Sequence, residues 1–208
     1  PAAVAAIIRV QRQLGAGALG IHNILVLGGD DPKSGDQPDA KPVFDLDTTA
    51  LIAMMREISE DGTILGGRRI DTPPRLFLGA ADSPFDPPPD WKPDRLAEKA
   101  AAGARFVQTQ FCYDIEIVRR YIDRLGAAGL TQRLFILLGT GPIASARSAL
   151  WMRENLWGVI IPDAMIERLE NASDEKEEGR KICVEFIEQA RAIDGVSGVH
   201  VMAIRQDE

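Results

Sequence analysis

Two glycines and two carboxylates follow the first strongly apolar run of this chain, in the segment Gly28-Gly29-Asp30-Asp31-Pro32. Glycine lets the backbone approach a ligand closely because it carries no side chain. A carboxylate at this place can hold a proton or accept a hydrogen bond from a polar ring. A tight turn with solvated aspartates explains the same residues, and their spacing alone does not decide between the two interpretations.

A second polar group interrupts the apolar run that begins at Phe106. Gln108, Thr109 and Gln110 stand where a buried strand should still be apolar. Side chains alternate along a strand, so Gln108 and Gln110 are predicted to share one face. A carboxamide offers both a donor and an acceptor, which suits recognition of the edge of a heterocycle. A glutamine satisfied by neighbouring loops is the alternative interpretation.

Three further features favour structural explanations. Gly15–Gly20 matches G-x-G-x-x-G, but a dinucleotide site needs that motif after a strand and at the start of a helix. Here the order is reversed, so we expect close packing of a helix on a strand. Lys99 lies on a predicted helix, and its position alone predicts a solvated side chain. Trp151 and Trp157 lie in a predicted helix and at its end, and are expected to pack.

Five short apolar runs must position these residues. Their length and composition are typical of parallel strands buried on both faces, and in such folds the chemistry gathers past the carboxyl ends of the strands. The runs are Ile24–Leu27, Leu76–Leu78, Phe106–Val107, Leu134–Leu138 and Val199–Ile204. The segments predicted to follow them are Gly28–Asp30, Gly79–Asp82, Gln108–Gln110, Gly139–Gly141 and Arg205–Gln206.

Helix-patterned sequence separates these runs. The predicted helices cover residues 2–14, 45–58, 94–102, 115–126, 143–155, 163–171 and 174–192, and the proline-rich residues 83–93 predict a long surface loop. Such alternation indicates either a doubly wound sheet or a (β/α)₈ barrel. A barrel needs eight strands and about 250 residues. The chain is therefore interpreted as a partial TIM barrel, from the helix after strand three through strand eight, with a self-contained five-stranded sheet as the alternative.

Composition narrows the possible partners. The net charge of -7 argues against nucleic-acid binding, and no apolar run approaches the roughly 20 residues that cross a bilayer. The two cysteines, Cys112 and Cys183, are expected to be reduced thiols in a cytoplasmic protein. With His22 and His200 as its histidines, the chain is predicted to hold no metal site. We expect a single domain over residues 1–208, no membrane contact and a homo-oligomer.

Several longer segments resemble the methylenetetrahydrofolate reductase family, in order and along essentially the whole chain. They include Leu14–Ile21, Asn23–Leu25, Gly29–Pro32, Ala40–Asp45, Gly79–Ala81, Ala102–Ala104, Gln108–Gln110, Ile161–Asp163 and Gly195–His200. The resemblance implies a flavin-containing (β/α)₈ barrel. It also implies that NAD(P)H reduces bound FAD and that 5,10-methylenetetrahydrofolate then becomes 5-methyltetrahydrofolate.

The resemblance assigns roles to individual residues. Asp30 corresponds to the aspartate near the flavin that assists folate activation, and Gln110 to the glutamine that recognises the pterin, with Gln108 beside it. The cofactor-binding positions are Gly28, Gly29, Asp30, Ala80, Ala81 and Lys99, with Lys99 reaching an FAD phosphate. This role replaces the solvated interpretation of Lys99.

Some positions depart from the family. Ala81 stands where many members have a tyrosine that contacts the flavin, Phe85 where some have histidine, and Arg205-Gln206 where many have Asn-Arg. The family's general-acid glutamate would precede Pro1. Residues 1–208 alone are therefore expected to need upstream sequence or a partner chain to hold FAD and to reduce folate. A folate-binding barrel without reductase activity and a non-catalytic assembly module are the alternative functions.

Overall fold

The computed structural model describes residues 14–29, 31–42, 46–64 and 66–202. Five strands lie in one sheet in chain order: β1 (Asn23–Val26), β2 (Phe77–Asp82), β3 (Phe106–Phe111), β4 (Phe135–Thr140) and β5 (Val196–Val201). The helices between them are α1 (Thr48–Glu60), α2 (Asp94–Ala102), α3 (Ile115–Ala127), α4 (Ala146–Asn155), α5 (Asp163–Glu170) and α6 (Glu175–Ala190). Parallel strands alternating with helices confirm the predicted α/β class, and the strand order agrees with consecutive strands of a barrel.

The chain divides into two compact units. The first comprises Pro1–Ala80 and Arg95–Arg105. Within it β1 pairs in parallel with the start of β2, from Asn23 opposite Phe77 to Val26 opposite Ala80. Helix α1 begins where the Asp47 carboxylate accepts a hydrogen bond from the Ala50 N–H at 2.7 Å. It buries one apolar face, which consists of Leu51, Ile52, Met54, Met55 and Ile58.

The second unit comprises Ala81–Asp94 and Phe106–Glu208. Strands β3, β4 and β5 pair in parallel, and α3 to α6 connect or cover them. The Thr109 hydroxyl accepts a hydrogen bond from the Gly139 N–H at 2.9 Å, so this buried polar side chain ties β3 to β4. The core is strongly apolar and includes Val107, Ile122, Leu125, Ile136, Leu138 and Leu169.

The predicted strand ends are wrong at three of the five segments. Gly79–Asp82 and Gln108–Gln110 lie inside β2 and β3, and Gly139 and Thr140 lie inside β4. The apolar pattern stops before the backbone pairing does, because polar and small side chains at these positions still leave the main chain free to pair. Strand β5 begins at Val196, three residues before the predicted Val199, while Ile204 and Arg205-Gln206 lie outside the described residues.

The helix predictions are closer to the structure. Helix α2 has the predicted bounds, and α5 and α6 differ from the predictions by two residues or fewer at either end. Helix α4 begins at Ala146 rather than at residue 143, because Ser145 and Ser148 cap its start reciprocally. Residues 14–18 are helical and precede β1, and a Cβ on Gly17 would collide with Pro74, which supports close packing as the explanation of the glycine motif.

Candidate functional site

In the first unit the predicted cofactor residues start at the end of β1. Gly28 and Gly29 are both exposed, and Gly29 has φ +80°, a conformation that favours glycine. A Cβ on Gly29 would meet no atom within 4 Å, whereas a Cβ on Gly28 would lie 3.2 Å from the Thr48 hydroxyl oxygen. This turn therefore presents open backbone. Asp30, the predicted catalytic residue, lies outside the described residues.

The other predicted cofactor residues differ in exposure. Ala80 is fully buried in β2 opposite Val26, and Ala81, the next residue of that strand, is half-buried. Lys99 lies in the last turn of α2 and is half-buried. The cofactor roles of these three residues stay predictions.

Gln110 is held at both ends of its side-chain amide. Its Nε2 donates a hydrogen bond to the Trp157 carbonyl at 3.1 Å, and its Oε1 accepts one from the Phe111 N–H at 3.0 Å. The ladder between β3 and β4 shifts register between Gln108 and Phe111, so the alternation used to pair Gln108 with Gln110 is interrupted there. Both glutamines are half-buried, and the sheet carries them at its carboxyl end.

Residues beyond β3 continue to pair with a distant part of the chain. The Ile160 N–H donates to the Phe111 carbonyl at 3.1 Å, and the Tyr113 N–H donates to the Ile160 carbonyl at 2.9 Å. The segment Trp157–Ile161, which follows α4, is thereby fixed alongside the extension of β3. Trp157 itself is 84% exposed, so the prediction that this indole packs is wrong.

Tyr113 fixes the backbone that follows β4. Its hydroxyl donates to the Gly141 carbonyl and accepts from the Gly141 N–H at 3.0 Å. Burial raises the pKa of Tyr113 well above its ordinary value, which keeps the hydroxyl protonated as a donor. The ring stacks on Phe111 with centroids 5.9 Å apart. One side chain therefore couples the end of β3 to the end of β4.

A cavity of about 490 Å³ opens beside these strand ends, within the second unit. Its polar side is formed around the start of α4, and its apolar side by side chains from β3, α4 and the end of β5. The lining residues are Phe111, Pro142, Ile143, Ala144, Ser145, Arg147, Ser148, Trp151, Met152 and Met202. A cavity of this size and character suits an organic ligand that carries a polar end.

The proline-rich loop after β2 is attached to α3. The Tyr121 hydroxyl donates to Asp82 Oδ2 at 2.6 Å, and the ring of Tyr121 contacts those of Phe85 and Trp91. At the surface Arg120 pairs with Asp86 at 2.7 Å, and this hydrogen bond lowers the pKa of the Asp86 carboxyl. The sequence alone did not reveal these contacts, because they join positions far apart in the chain.

Both cysteines are buried free thiols, as the sequence predicted for reduced cysteines. Burial raises the pKa of Cys112 to about 12, so this thiol is protonated at neutral pH. Within the described ranges, His, Cys, Asp and Glu form no cluster suited to a metal ion, and none of the described helices is long and apolar enough to cross a membrane.

The fold defines the class of protein: an α/β protein in which parallel strands alternate with helices. In folds of this class, ligands bind where the parallel strands end. The family profile described as methylenetetrahydrofolate reductase matches residues 4–208. The chain therefore belongs to the methylenetetrahydrofolate reductase family.

The known proteins that are similar to this chain include an enzyme from a fission yeast and a bacterial protein of known structure. Methylenetetrahydrofolate reductase 1 of Schizosaccharomyces pombe is 29% identical over 189 residues, which cover 87% of this chain and 28% of that protein. The chain thus spans under a third of the length of this curated relative. A solved structure of an uncharacterized protein from Clostridium thermocellum, described as binding two copies of 5-methyl-5,6,7,8-tetrahydrofolic acid, is 18% identical. It covers 79% of this chain and 55% of that one, with a TM-score of 0.49.

Proposed function

We propose that this chain is the part of a reductase that binds folate and flavin, and that the protein reduces 5,10-methylenetetrahydrofolate to 5-methyltetrahydrofolate. NAD(P)H is the proposed hydride donor and FAD the proposed cofactor. The reaction adds a hydride to the methylene carbon, breaks its bond to one folate nitrogen and places a proton on that nitrogen. The family match over residues 4–208 carries this proposal.

The chemistry of the described residues fits FAD. The exposed Gly28-Gly29 turn presents backbone that a flat ring could approach, since no atom occupies the place of a Cβ on Gly29. The Lys99 ammonium is the kind of group that pairs with a phosphate. When bound, the flavin supplies the ring that carries the hydride between the two substrates.

Folate recognition is assigned to Gln110 in this proposal. Two hydrogen bonds to backbone groups leave one N–H and one oxygen lone pair of its amide for a ligand. A donor beside an acceptor matches the edge of a pterin, whose ring nitrogens and carbonyl present the complementary pattern. Asp30 would act on the folate half-reaction, as the resemblance implies.

The first experiment measures flavin content and turnover in the full-length protein. We expect a yellow protein that oxidises NADH or NADPH when 5,10-methylenetetrahydrofolate is supplied. A colourless protein that still binds folate would contradict reductase activity and favour a folate-binding barrel. A protein that binds neither ligand would favour an assembly role instead.

The second experiment tests the role of Gln110. Gln110→Ala should weaken binding of 5-methyltetrahydrofolate by about 1–3 kcal/mol, because polar atoms of the pterin lose their partners. Gln132→Ala, at an exposed loop position, is the matched control and should bind like the wild type. Unchanged folate affinity together with an altered flavin spectrum would show that Gln110 contacts the other ligand.

A further inference from the structure

The orientation of the Gln110 amide is determined by the backbone around it. Nε2 faces the Trp157 carbonyl, and Oε1 faces the Phe111 N–H. The reverse orientation would set donor against donor and acceptor against acceptor, so the network permits one arrangement. A ligand therefore meets an amide whose remaining donor and acceptor have fixed positions.

The Trp157 carbonyl reaches Gln110 because the next residue is glycine. Gly158 has φ +75°, and a Cβ placed on it would lie 2.9 Å from Ser83 Oγ, 3.2 Å from Ser83 Cβ and 3.7 Å from Gln110 Cγ. A contact of 2.9 Å is shorter than a Cβ tolerates. An added methyl group would therefore crowd Ser83 and displace the turn from it, whereas its distance to Gln110 Cγ would be an ordinary contact.

The segment after this turn cannot easily shift to make room. Ile160 is hydrogen-bonded to Phe111 on one side and to Tyr113 on the other, at 3.1 and 2.9 Å. Residue 112 and residue 160 form a parallel bridge between these two bonds. A larger side chain at position 158 would therefore distort the hydrogen bond between the Trp157 carbonyl and the Gln110 amide.

We propose that Gly158 is a positioning residue that sets the specificity of the site. It lets the chain turn tightly against Ser83, brings the Trp157 carbonyl to Gln110 and so presents the amide edge to the folate heterocycle in one orientation. This inference rests on the proposed function, because it names folate as the ligand that Gln110 recognises.

The test compares Gly158→Ala with Gly129→Ala in the full-length protein. Gly129 has φ +71°, nearly the same as Gly158, but the nearest atom to its added Cβ would be Gln132 Oε1 at 3.8 Å. Both variants place a side chain at a similar positive φ, so both should lose thermal stability, and Gly158→Ala should lose more because its methyl group also crowds Ser83. Gly158→Ala alone should also raise the dissociation constant for 5-methyltetrahydrofolate about five- to thirty-fold, the loss expected of one well-made hydrogen bond.

A compensating variant checks the steric cause. Ser83→Gly removes both Ser83 atoms nearest to the added methyl group, so Ser83→Gly/Gly158→Ala should recover most of the lost affinity. Equal folate affinity in Gly158→Ala and Gly129→Ala would overturn the proposal. Loss of affinity that Ser83→Gly leaves unchanged would also count against it.

The side-chain amide resonances of Gln110 give a readout that needs no ligand. They are assigned by their disappearance in Gln110→Glu. In the wild type the amide proton that Gln110 donates to the Trp157 carbonyl should exchange slowly with solvent, and in Gly158→Ala it should exchange like that of an exposed glutamine. Fast exchange in the wild type would show that the hydrogen bond between Gln110 and the Trp157 carbonyl does not hold the amide in place. Slow exchange in a protein that does not bind 5-methyltetrahydrofolate would instead refute the proposed function.

Discussion

The hydrogen bond between Tyr121 and Asp82 makes a quantitative prediction about the loop after β2. Tyr121 is fully buried and donates to the carboxylate at 2.6 Å, while its ring packs 5.9 Å from Trp91 and 6.3 Å from Phe85, measured between centroids. Tyr121→Phe removes the hydroxyl and keeps the ring. Hydrogen bonds to charged groups contribute about 1.5–3 kcal/mol, so the free energy of unfolding should fall by about that amount.

Urea unfolding measures this loss. The slope of the free energy against urea concentration should stay constant, because the surface exposed on unfolding hardly changes. Asp82→Asn keeps an acceptor for the hydroxyl and is the matched control, with an expected loss of about 1 kcal/mol. The double variant should lose less than the sum of the single losses. A loss below about 0.5 kcal/mol in Tyr121→Phe, or strict additivity, would refute the reasoning.

The same tyrosine makes stability depend on alkaline pH. Burial raises the pKa of Tyr121 well above its ordinary value, and the negative charge of Asp82 raises it further. The folded protein therefore keeps this proton where the unfolded chain loses it. Its contribution is fully present below about pH 10 and declines as the pH rises further. Tyr121→Phe should show a shallower alkaline loss than the wild type.

Three other outcomes are expected. Burial raises the pKa of Cys112 from 9.0 to about 12, so the free energy of unfolding measured with urea should fall between pH 9 and 12 by up to about 1.4 kcal/mol per pH unit, and less steeply in Cys112→Ala. Tyr113→Phe removes both hydrogen bonds to Gly141 and should cost about 1–2 kcal/mol in urea unfolding; a neutral effect would show that water replaces the hydroxyl. Asp30→Asn should retain FAD yet slow folate reduction more than NAD(P)H oxidation in stopped-flow assays. Asp31→Asn, whose side chain caps the helical turn at Pro32–Ser34, is its control, and equal slowing of both half-reactions by Asp30→Asn would remove the proposed role.

The alternation of strands and helices could be predicted because it rests on local patterns. Asp47 and Asp174 cap the helices that were predicted over residues 45–58 and 174–192, and the helix between Asp94 and Ala102 has its predicted bounds. Strand ends were harder to place, since the apolar pattern records side-chain burial and not backbone pairing. Gln108–Gln110 therefore belongs to β3 although the apolar run ends at Val107.

The geometry of the site could be predicted only in part. The residue type and position of Gln110 indicated a recognition group, but its partners lie 47 positions away at Trp157 and at the adjacent Phe111. No local pattern connects such distant positions. Gly158 followed by apolar residues gave a weak signal of a turn, and nothing in the sequence placed it against Ser83.

The parallel pairing of β3, β4 and β5 also has a consequence for the folding rate. The Gly139 N–H reaches the Thr109 hydroxyl 30 positions away, and the Ile136 N–H reaches the Ser197 hydroxyl 61 positions away. Each such contact requires the chain to lose the conformational entropy of a long loop before the contact stabilises the fold. This requirement slows folding. Helices α3 and α6, which need only local contacts, should form before the strands they connect. Until these apolar strands pair within the chain, their exposed edges can pair with strands of other chains. The refolding yield should therefore fall as the protein concentration rises.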